Sequence, residues 1–149
     1  MLRAVVDIGT NSTRLFIADV SGGRIGEVLE RRTEITRLGA GVDADGRLSD
    51  EAMDRVFTVL DTYRALIDEH GVSDAVAVLT SAVRDAANGD EFADAVRSRW
   101  GFDAHVLSGD EEARLTFLGA TTQQAGVDLE GDRLLAAAVQ DAGNVAGAA

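Results

Sequence analysis

The stretch Asp7-Ile8-Gly9-Thr10-Asn11-Ser12-Thr13-Arg14 decides how the chain is read. A short apolar strand, Ala4 to Asp7, runs into it and a second, Leu15 to Val20, leaves it, so it is a tight turn between two strands. A turn this rich in glycine and hydroxyls aims backbone N–H groups and side-chain oxygens at one spot, which suits a phosphate at Gly9, Thr10, Asn11 and Ser12. Asp7, at the end of the buried strand, is placed to hold a magnesium ion or a water molecule. The turn has neither the lysine of a P-loop nor the G-x-G-x-x-G of a dinucleotide fold. An ordinary hairpin with a structural aspartate accounts for the same residues equally well.

Outward from the turn, Gly22-Gly23 reads as a hairpin and the stretch from about Arg24 to Thr36 as a third strand, which closes a meander. Gly39 to Gly46 reads as loop. Ser49 caps a helix with Asp50 and Glu51 in its first turn; Met53, Val56, Phe57, Leu60, Tyr63 and Ile67 recur at helical spacing, and Gly71 ends it. Ala75 to Leu79 is a small continuous apolar run of the kind found in a buried parallel strand. A short helix from about Ser81 follows. Beyond Asn88-Gly89 comes a second helix with Phe92, Val96 and Trp100 on one face, closed by Gly101, and then a strand from Ala104 to Leu107. Ser108 and Glu111 form an S-x-x-E capping box, which predicts a helix from Gly109 to about Thr122 packed down by Leu115, Phe117 and Leu118. Three strands in a meander followed by alternating helices and strands give an α/β domain with a mixed sheet.

Composition sets the outer limits. With 149 residues, 46% of them hydrophobic, the chain has the size of one domain with a single core. It contains no cysteine, which excludes disulfides, thiol nucleophiles and zinc–cysteine clusters. A net charge of −12 argues against general binding of nucleic acid, so an anionic ligand must meet a local basic patch. All 14 basic residues are arginine, whose planar fork matches phosphate oxygens, although most read equally well as solvated surface. No apolar run is long enough to span a bilayer and no signal-peptide pattern follows Met1, so no membrane role and a cytoplasmic location are expected.

Two later stretches sharpen the reading: Thr80-Ser81-Ala82-Val83-Arg84-Asp85-Ala86-Ala87-Asn88 and Leu107-Ser108-Gly109-Asp110-Glu111-Glu112-Ala113-Arg114-Leu115. The D-x-G-T turn resembles the phosphate loop of the actin-like ATPase superfamily (ribonuclease H-like fold), which holds sugar kinases as well as phosphatases. Both later stretches resemble signatures of the exopolyphosphatase and guanosine-pentaphosphate phosphohydrolase (Ppx/GppA) family. With Thr36-Arg37-Leu38-Gly39, the resemblance covers about residues 4 to 122 in order.

The resemblance implies hydrolysis of a terminal phosphoanhydride in inorganic polyphosphate or guanosine pentaphosphate, with magnesium. It also implies a catalytic base at Glu112, the second glutamate of the motif, and phosphate contacts from Arg84 and, with less force, Arg37. Taken from the residues alone, Glu111 and Glu112 could merely complement a helix dipole, and Arg84 could pair with Asp85 or Asp90. Arg14 reads as a solvated strand-edge residue; His70 and His105 read as structural or surface residues. A non-catalytic phosphate- or protein-binding domain and a sugar-kinase relative stay open beside the hydrolase, and self-association into a homodimer is the other partner expectation.

Residues 1–132 are read as the first domain of a two-domain family fold and 133–149 as a divergent, alanine-rich tail. Where the family continues into a second loop resembling D-I-G-G-G-S-T-E, this chain reads Ala136-Ala137-Ala138-Val139-Gln140-Asp141-Ala142-Gly143-Asn144. The expectation from that departure is a truncated or frame-shifted product with impaired turnover and a poorly packed tail.

Overall fold

A computed structural model describes residues 1–121 apart from Gly23. The element order is β1 (Leu2–Ile8), β2 (Ser12–Ser21), β3 (Arg24–Ile35), α1 (Val42–Asp45), α2 (Asp50–Glu69), β4 (Ala75–Leu79), α3 (Ser81–Asp85), α4 (Gly89–Trp100), β5 (Asp103–Val106) and α5 (Gly109–Thr121). The five strands form one sheet in the order β3-β2-β1-β4-β5. β1, β2 and β3 pair antiparallel, whereas β4 lies parallel to β1 and β5 parallel to β4. The α/β class and mixed sheet are as the sequence predicts.

Both faces of the central strands are covered, which is why β1 and β2 are apolar almost throughout and do not alternate. On one face Ala4, Val6, Ile8, Leu15 and Ile17 meet Val56, Leu60, Tyr63 and Ile67 of α2 and Phe92, Val96 and Trp100 of α4. On the other, Val5, Phe16, Ala18 and Val78 meet Leu107 and Leu115. Each such aliphatic side chain removed from water contributes roughly 1.5–3 kcal/mol, so these two clusters carry most of the driving force. Phe57 stacks on Phe92 with ring centroids 5.4 Å apart, which locks α2 to α4.

The helix signals are realised as read. The Ser49 side chain accepts from the Ala52 amide at 3.1 Å, and Gly71, in the left-handed region at φ 70°, follows the end of α2. The Ser108–Glu111 box is reciprocal: the Ser108 amide donates to Glu111 Oε2 at 2.7 Å and the Glu111 amide to Ser108 Oγ at 3.1 Å.

Two expectations need correction. The supposed loop from Gly39 to Gly46 contains the one-turn helix α1, bracketed by Gly41 and Gly46, both in the left-handed region. Such a turn has too few residues for periodicity to reveal it. Among the described side chains of α5 Leu115 alone is buried; Phe117 is 67% and Leu118 37% exposed, because the helix presents one narrow stripe to the sheet and these residues lie beside it. The expectations for residues 122–149, including the end of the first domain and the character of the alanine-rich tail, lie outside the described residues.

Candidate functional site

The site lies at the carboxyl ends of β1, β4 and β5, where the chain leaves β1 towards β2 on one side and leaves β4 towards β5 on the other. Parallel strands that diverge in this way leave a crevice at the sheet edge between them. The turn after β1 closes with the Gly9 amide donating to the Ser12 carbonyl at 3.0 Å. Across the crevice, Thr10 Oγ1 and Ser81 Oγ, at the start of α3, are 2.8 Å apart.

The segment after β3 folds over this turn as a collar. The amides of Thr36 and Arg37 both donate to the Asn11 carbonyl at 3.0 Å, and the Gly39 amide donates to the Thr10 carbonyl at 3.0 Å. A Cβ at position 39 would stand 2.4 Å from Thr10 Cγ2, so any residue larger than glycine there would force the Thr10 side chain to turn. The carbonyls of Thr10 and Asn11 are thereby committed outward, while neither residue's amide donates to a backbone acceptor among the described residues. Below, Thr13 Oγ1 meets Thr36 Oγ1 at 2.9 Å and the Tyr63 hydroxyl donates to the Thr13 carbonyl at 2.8 Å. Burial, above all, pushes the Tyr63 phenol well above its ordinary pKa of 10, so it remains a donor at every physiological pH.

Arg84 lies one helical turn beyond Ser81 on α3, and so on the same side of it. Its Nη1 donates to the Leu107 carbonyl at 2.9 Å and to Glu112 Oε2 at 3.3 Å; its Nε stands 3.7 Å from Asp85. Asp85 was foreseen as a partner, and Glu112 is added to it. Both side chains are about one-third exposed, at 31% and 33%, so the pair is open to a ligand and worth at most about 1 kcal/mol to the fold.

The platform under Arg84 is held by Asn88 and Gly89. Asn88 Oδ1 accepts from the Leu48 amide at 2.8 Å while its Nδ2 donates to the Leu48 carbonyl at 3.0 Å, as a strand partner would. A Cβ on Gly89 would come within 1.9 Å of the Val83 carbonyl oxygen, so only glycine lets α4 start so close to α3.

The two adjacent glutamates part company. Glu111 is spent on its capping box, and the Ser108 amide, first, and the Ser108 hydroxyl hold its carboxyl below the ordinary glutamate range. It lines a hollow of about 650 Å³ over β4 and β5, which none of Gly9 to Ser12, Arg84 or Glu112 lines. Glu112 is the one that faces Arg84.

Asp7 is buried at the end of β1, 7% exposed, directly across the ladder from Arg14. Arg14 is thus not at a strand edge: β2 is an inner strand, and the Arg14 Nε is buried beside its cross-strand neighbours. Arg37 is exposed and adopts the left-handed region at φ 50°, which is unusual for a residue with a Cβ. His70 pairs with Glu30 at 3.3 Å and His105 with Asp103 at 3.0 Å. Among the described residues no three His, Cys, Asp or Glu side chains gather as a metal cage, and no helix is long and apolar enough to cross a membrane.

Of the residues singled out from the sequence, the structure sets Thr10 of the Gly9 to Ser12 turn against the first residue of α3, pairs Arg84 at the end of that helix with Glu112, sets Asp7 at the base of the turn and places Arg37 on its collar. It adds Ser81, Asn88 and Arg55, whose guanidinium on α2 donates to the Thr36 and Arg37 carbonyls of the collar; none of the three stands out in the sequence as a site residue. The hydroxyl following Thr80 at a strand end was a usable signal for Ser81; nothing local marks Arg55.

Comparison with known proteins agrees with this architecture. The family model described as the Ppx/GppA phosphatase family matches residues 16–130. Exopolyphosphatase 2 of Mycobacterium tuberculosis is 46% identical over 125 residues, covering 78% of this chain and 39% of that protein. A crystal structure of the Aquifex aeolicus Ppx/GppA family member superposes with a TM-score of 0.73 at 36% identity, covering 80% of this chain and 39% of that one. A crystal structure of an exopolyphosphatase-like protein reaches a TM-score of 0.77 at 41% identity, covering 81% and 37%. The chain therefore spans about two-fifths of the length of these relatives. A family match over most of the chain, carried on a shared actin-like sheet, makes this protein a member of the Ppx/GppA phosphatase family.

Proposed function

We propose that the crevice binds the terminal phosphate of inorganic polyphosphate and supplies the base for its hydrolysis, with guanosine pentaphosphate as the alternative substrate of the same chemistry. The observation that carries this reading is the contact of Arg84 with Glu112 at 3.3 Å, one helical turn from the Ser81 hydroxyl that meets Thr10. An anion-gripping fork and a carboxylate beside a turn of hydroxyls and N–H groups are what phosphoryl transfer to water requires.

In this reading the amides and hydroxyls of Gly9, Thr10, Asn11 and Ser12 receive the terminal phosphoryl oxygens. Arg84 keeps its anchor on the Leu107 carbonyl and exchanges Glu112 for phosphate oxygen as partner. Glu112, released from the arginine, orients a water in line with the leaving phosphate and accepts its proton. The P–O bond to the leaving chain breaks as the bond to water oxygen forms, and the shortened chain departs as an anion. Arg37 adds charge from the collar.

Magnesium belongs to the same proposal. The oxygen-only donor set fits it: among the described residues one carboxylate, Asp7, is buried, it stands beside hydroxyls, and no cluster of three ligands forms a cage, which matches an ion held through one carboxylate, waters and substrate phosphates. When bound it would neutralise charge on the phosphate oxygens, with Asp7 as its protein ligand. Location in the cytoplasm and no binding of nucleic acid belong to the proposal on the grounds of charge and hydropathy, and pairing into a homodimer is kept in it as an expectation without a supporting observation.

The test is phosphate release from polyphosphate, from guanosine pentaphosphate and from ATP plus a sugar, with and without magnesium, alongside binding measured by calorimetry. Because the chain spans 39% of the Mycobacterium relative, turnover is measured on this chain and on a chimera joining residues 1–121 to the remaining length of that relative. Release from polyphosphate by the chimera supports the reading. Binding without release in both would favour a phosphate-holding domain, and failure to bind any of the anions would overturn the assignment.

A further inference from the structure

Arg55 sits on the exposed side of α2 but does not pair with a carboxylate there. Its Nε donates to the Thr36 carbonyl at 2.7 Å and its Nη2 to the Arg37 carbonyl at 3.1 Å, so one guanidinium forks across two consecutive peptide units. Those peptide units are the collar. The amides of Thr36 and Arg37 converge on the Asn11 carbonyl, and the Gly39 amide holds Thr10. A continuous line of hydrogen bonds therefore runs from α2, through the Arg55 fork, to the turn whose amides face the crevice. A lysine could reach one carbonyl as a point charge, but only the planar fork spans both.

The backbone of the collar supplies a reason for such a clamp. Arg37 has φ 50°, a region that is unfavourable for a residue with a Cβ and persists only where surrounding contacts hold it. The Arg37 carbonyl is gripped from two sides, by Arg55 and by the Ala40 amide at 3.1 Å. Meanwhile the Arg37 guanidinium is exposed and forms no hydrogen bond or ion pair with another described residue. The strain is thus concentrated at a cation left available to a ligand.

We infer that Arg55 is a positioning residue for anion binding: by forking the Thr36 and Arg37 carbonyls it holds the collar on the Gly9–Ser12 turn and keeps Arg37 in its left-handed conformation at the rim of the crevice. The inference rests on the phosphate-binding reading of that crevice. Arg55 itself touches no substrate in this account.

The experiment compares Arg55→Met, which keeps the stem and loses every donor, with Arg55→Lys, Arg37→Ala and the Arg55→Met/Arg37→Ala double variant. Each 149-residue chain is titrated with tripolyphosphate by calorimetry, its melting temperature is recorded, and the amide resonances of Thr10, Asn11 and Gly39 are compared by NMR without ligand. Arg55→Met is expected to shift those amides and weaken tripolyphosphate by roughly ten-fold, the scale of losing hydrogen bonds from a charged donor. Arg55→Lys should recover part of that loss. The double variant should bind little worse than the weaker single variant, because the two residues act through one conformation. A purely structural role would lower the melting temperature and leave affinity unchanged, and direct contact with the anion would make the two losses add. Either result overturns the inference, as do unmoved amides in Arg55→Met. If the unaltered chain binds no tripolyphosphate, the crevice reading fails and takes the role of Arg55 with it. If the unaltered chain binds and Arg55→Met binds as well, the inference about Arg55 alone is wrong.

Discussion

The two halves of the crevice are built from different materials. On the meander side the groups proposed to meet the phosphate are backbone amides and short hydroxyls, fixed by the β1–β2 ladder, by the collar and by the buried Tyr63–Thr13 bond. On the parallel side they are two long side chains, each about one-third exposed: Arg84, anchored on the Leu107 carbonyl, and Glu112, which Arg84 contacts. The first half is rigid before any ligand arrives, whereas the second can exchange partners. Side-chain changes should therefore strike rate on the parallel side and stability or affinity on the meander side.

The largest effect expected is on the parallel side. Glu112→Gln keeps size and hydrogen-bonding capacity but removes the proposed base, so turnover of polyphosphate by the chimera should fall by roughly 10²–10⁴-fold. Affinity and melting temperature should hardly move, because a half-open ion pair contributes little to the fold. Steady-state kinetics and calorimetry on the same preparation decide it. An unimpaired variant removes Glu112 from the mechanism, and a comparable loss of affinity would mean that this half is as preorganised as the other.

Gly89→Ala attacks the comparison from beneath. The added methyl would sit 1.9 Å from the Val83 carbonyl oxygen, a backbone atom that cannot turn aside, so α3 or α4 must shift. Roughly 3 kcal/mol of stability should be lost, at the upper end for a single overpacked contact, and Arg84 should leave its place beside Leu107. Chemical denaturation measures the first and the chimera's affinity the second. A stable variant with normal affinity would show that the Arg84 side of the crevice does not need this platform.

On the meander side Tyr63→Phe deletes one hydroxyl and leaves the Thr13 carbonyl buried without that donor. A loss of about 1–2 kcal/mol in denaturant unfolding is expected. Turnover per bound substrate should be unchanged, since Tyr63 supports the turn and touches no reacting atom.

How much of this was legible beforehand follows the same division. Strands and helices with strong local chemistry were legible: the apolar runs of β1, β2 and β4, the Ser49 cap, and the Ser108–Glu111 box whose two bonds were both anticipated. Arg84 and Glu112 stood out only through family motifs, and their contact with each other did not, because 28 positions of sequence separation carry no periodic signal. The collar was not legible. Its hydrogen bonds run from residues 36, 37 and 39 back to 10 and 11, and Arg55 reaches it across a helix, so no window of sequence contains both partners. Arg14 was misplaced for a related reason: which strand is outermost depends on the order of the whole sheet. Phe117 and Leu118 failed because apolarity alone does not say which side of α5 meets the sheet.

The smallest effect separates the adjacent glutamates by pH. The Glu111 carboxyl is held below its ordinary value of 4.5, chiefly by the Ser108 amide that donates to it. A carboxylate whose pKa is depressed in the folded state contributes stability above its unfolded pKa and loses it as pH falls through the folded value. Glu111→Gln retains an oxygen for the Ser108 amide but not the charge, so its melting temperature should lie slightly below that of the unaltered chain at pH 7. The gap should close as pH drops below 4.5 and the native carboxyl gains its proton. Glu112→Gln should show no such gap at pH 7, since Glu112 has no part in the cap. Thermal unfolding of the three chains at pH 7 and pH 3 makes the comparison. A gap that persists in acid would mean that Glu111 acts by shape and not by charge. A gap for Glu112→Gln as large as that for Glu111→Gln would mean that the Arg84 pair is part of the fold's scaffold, and the parallel half of the crevice would then be as fixed as the turn opposite.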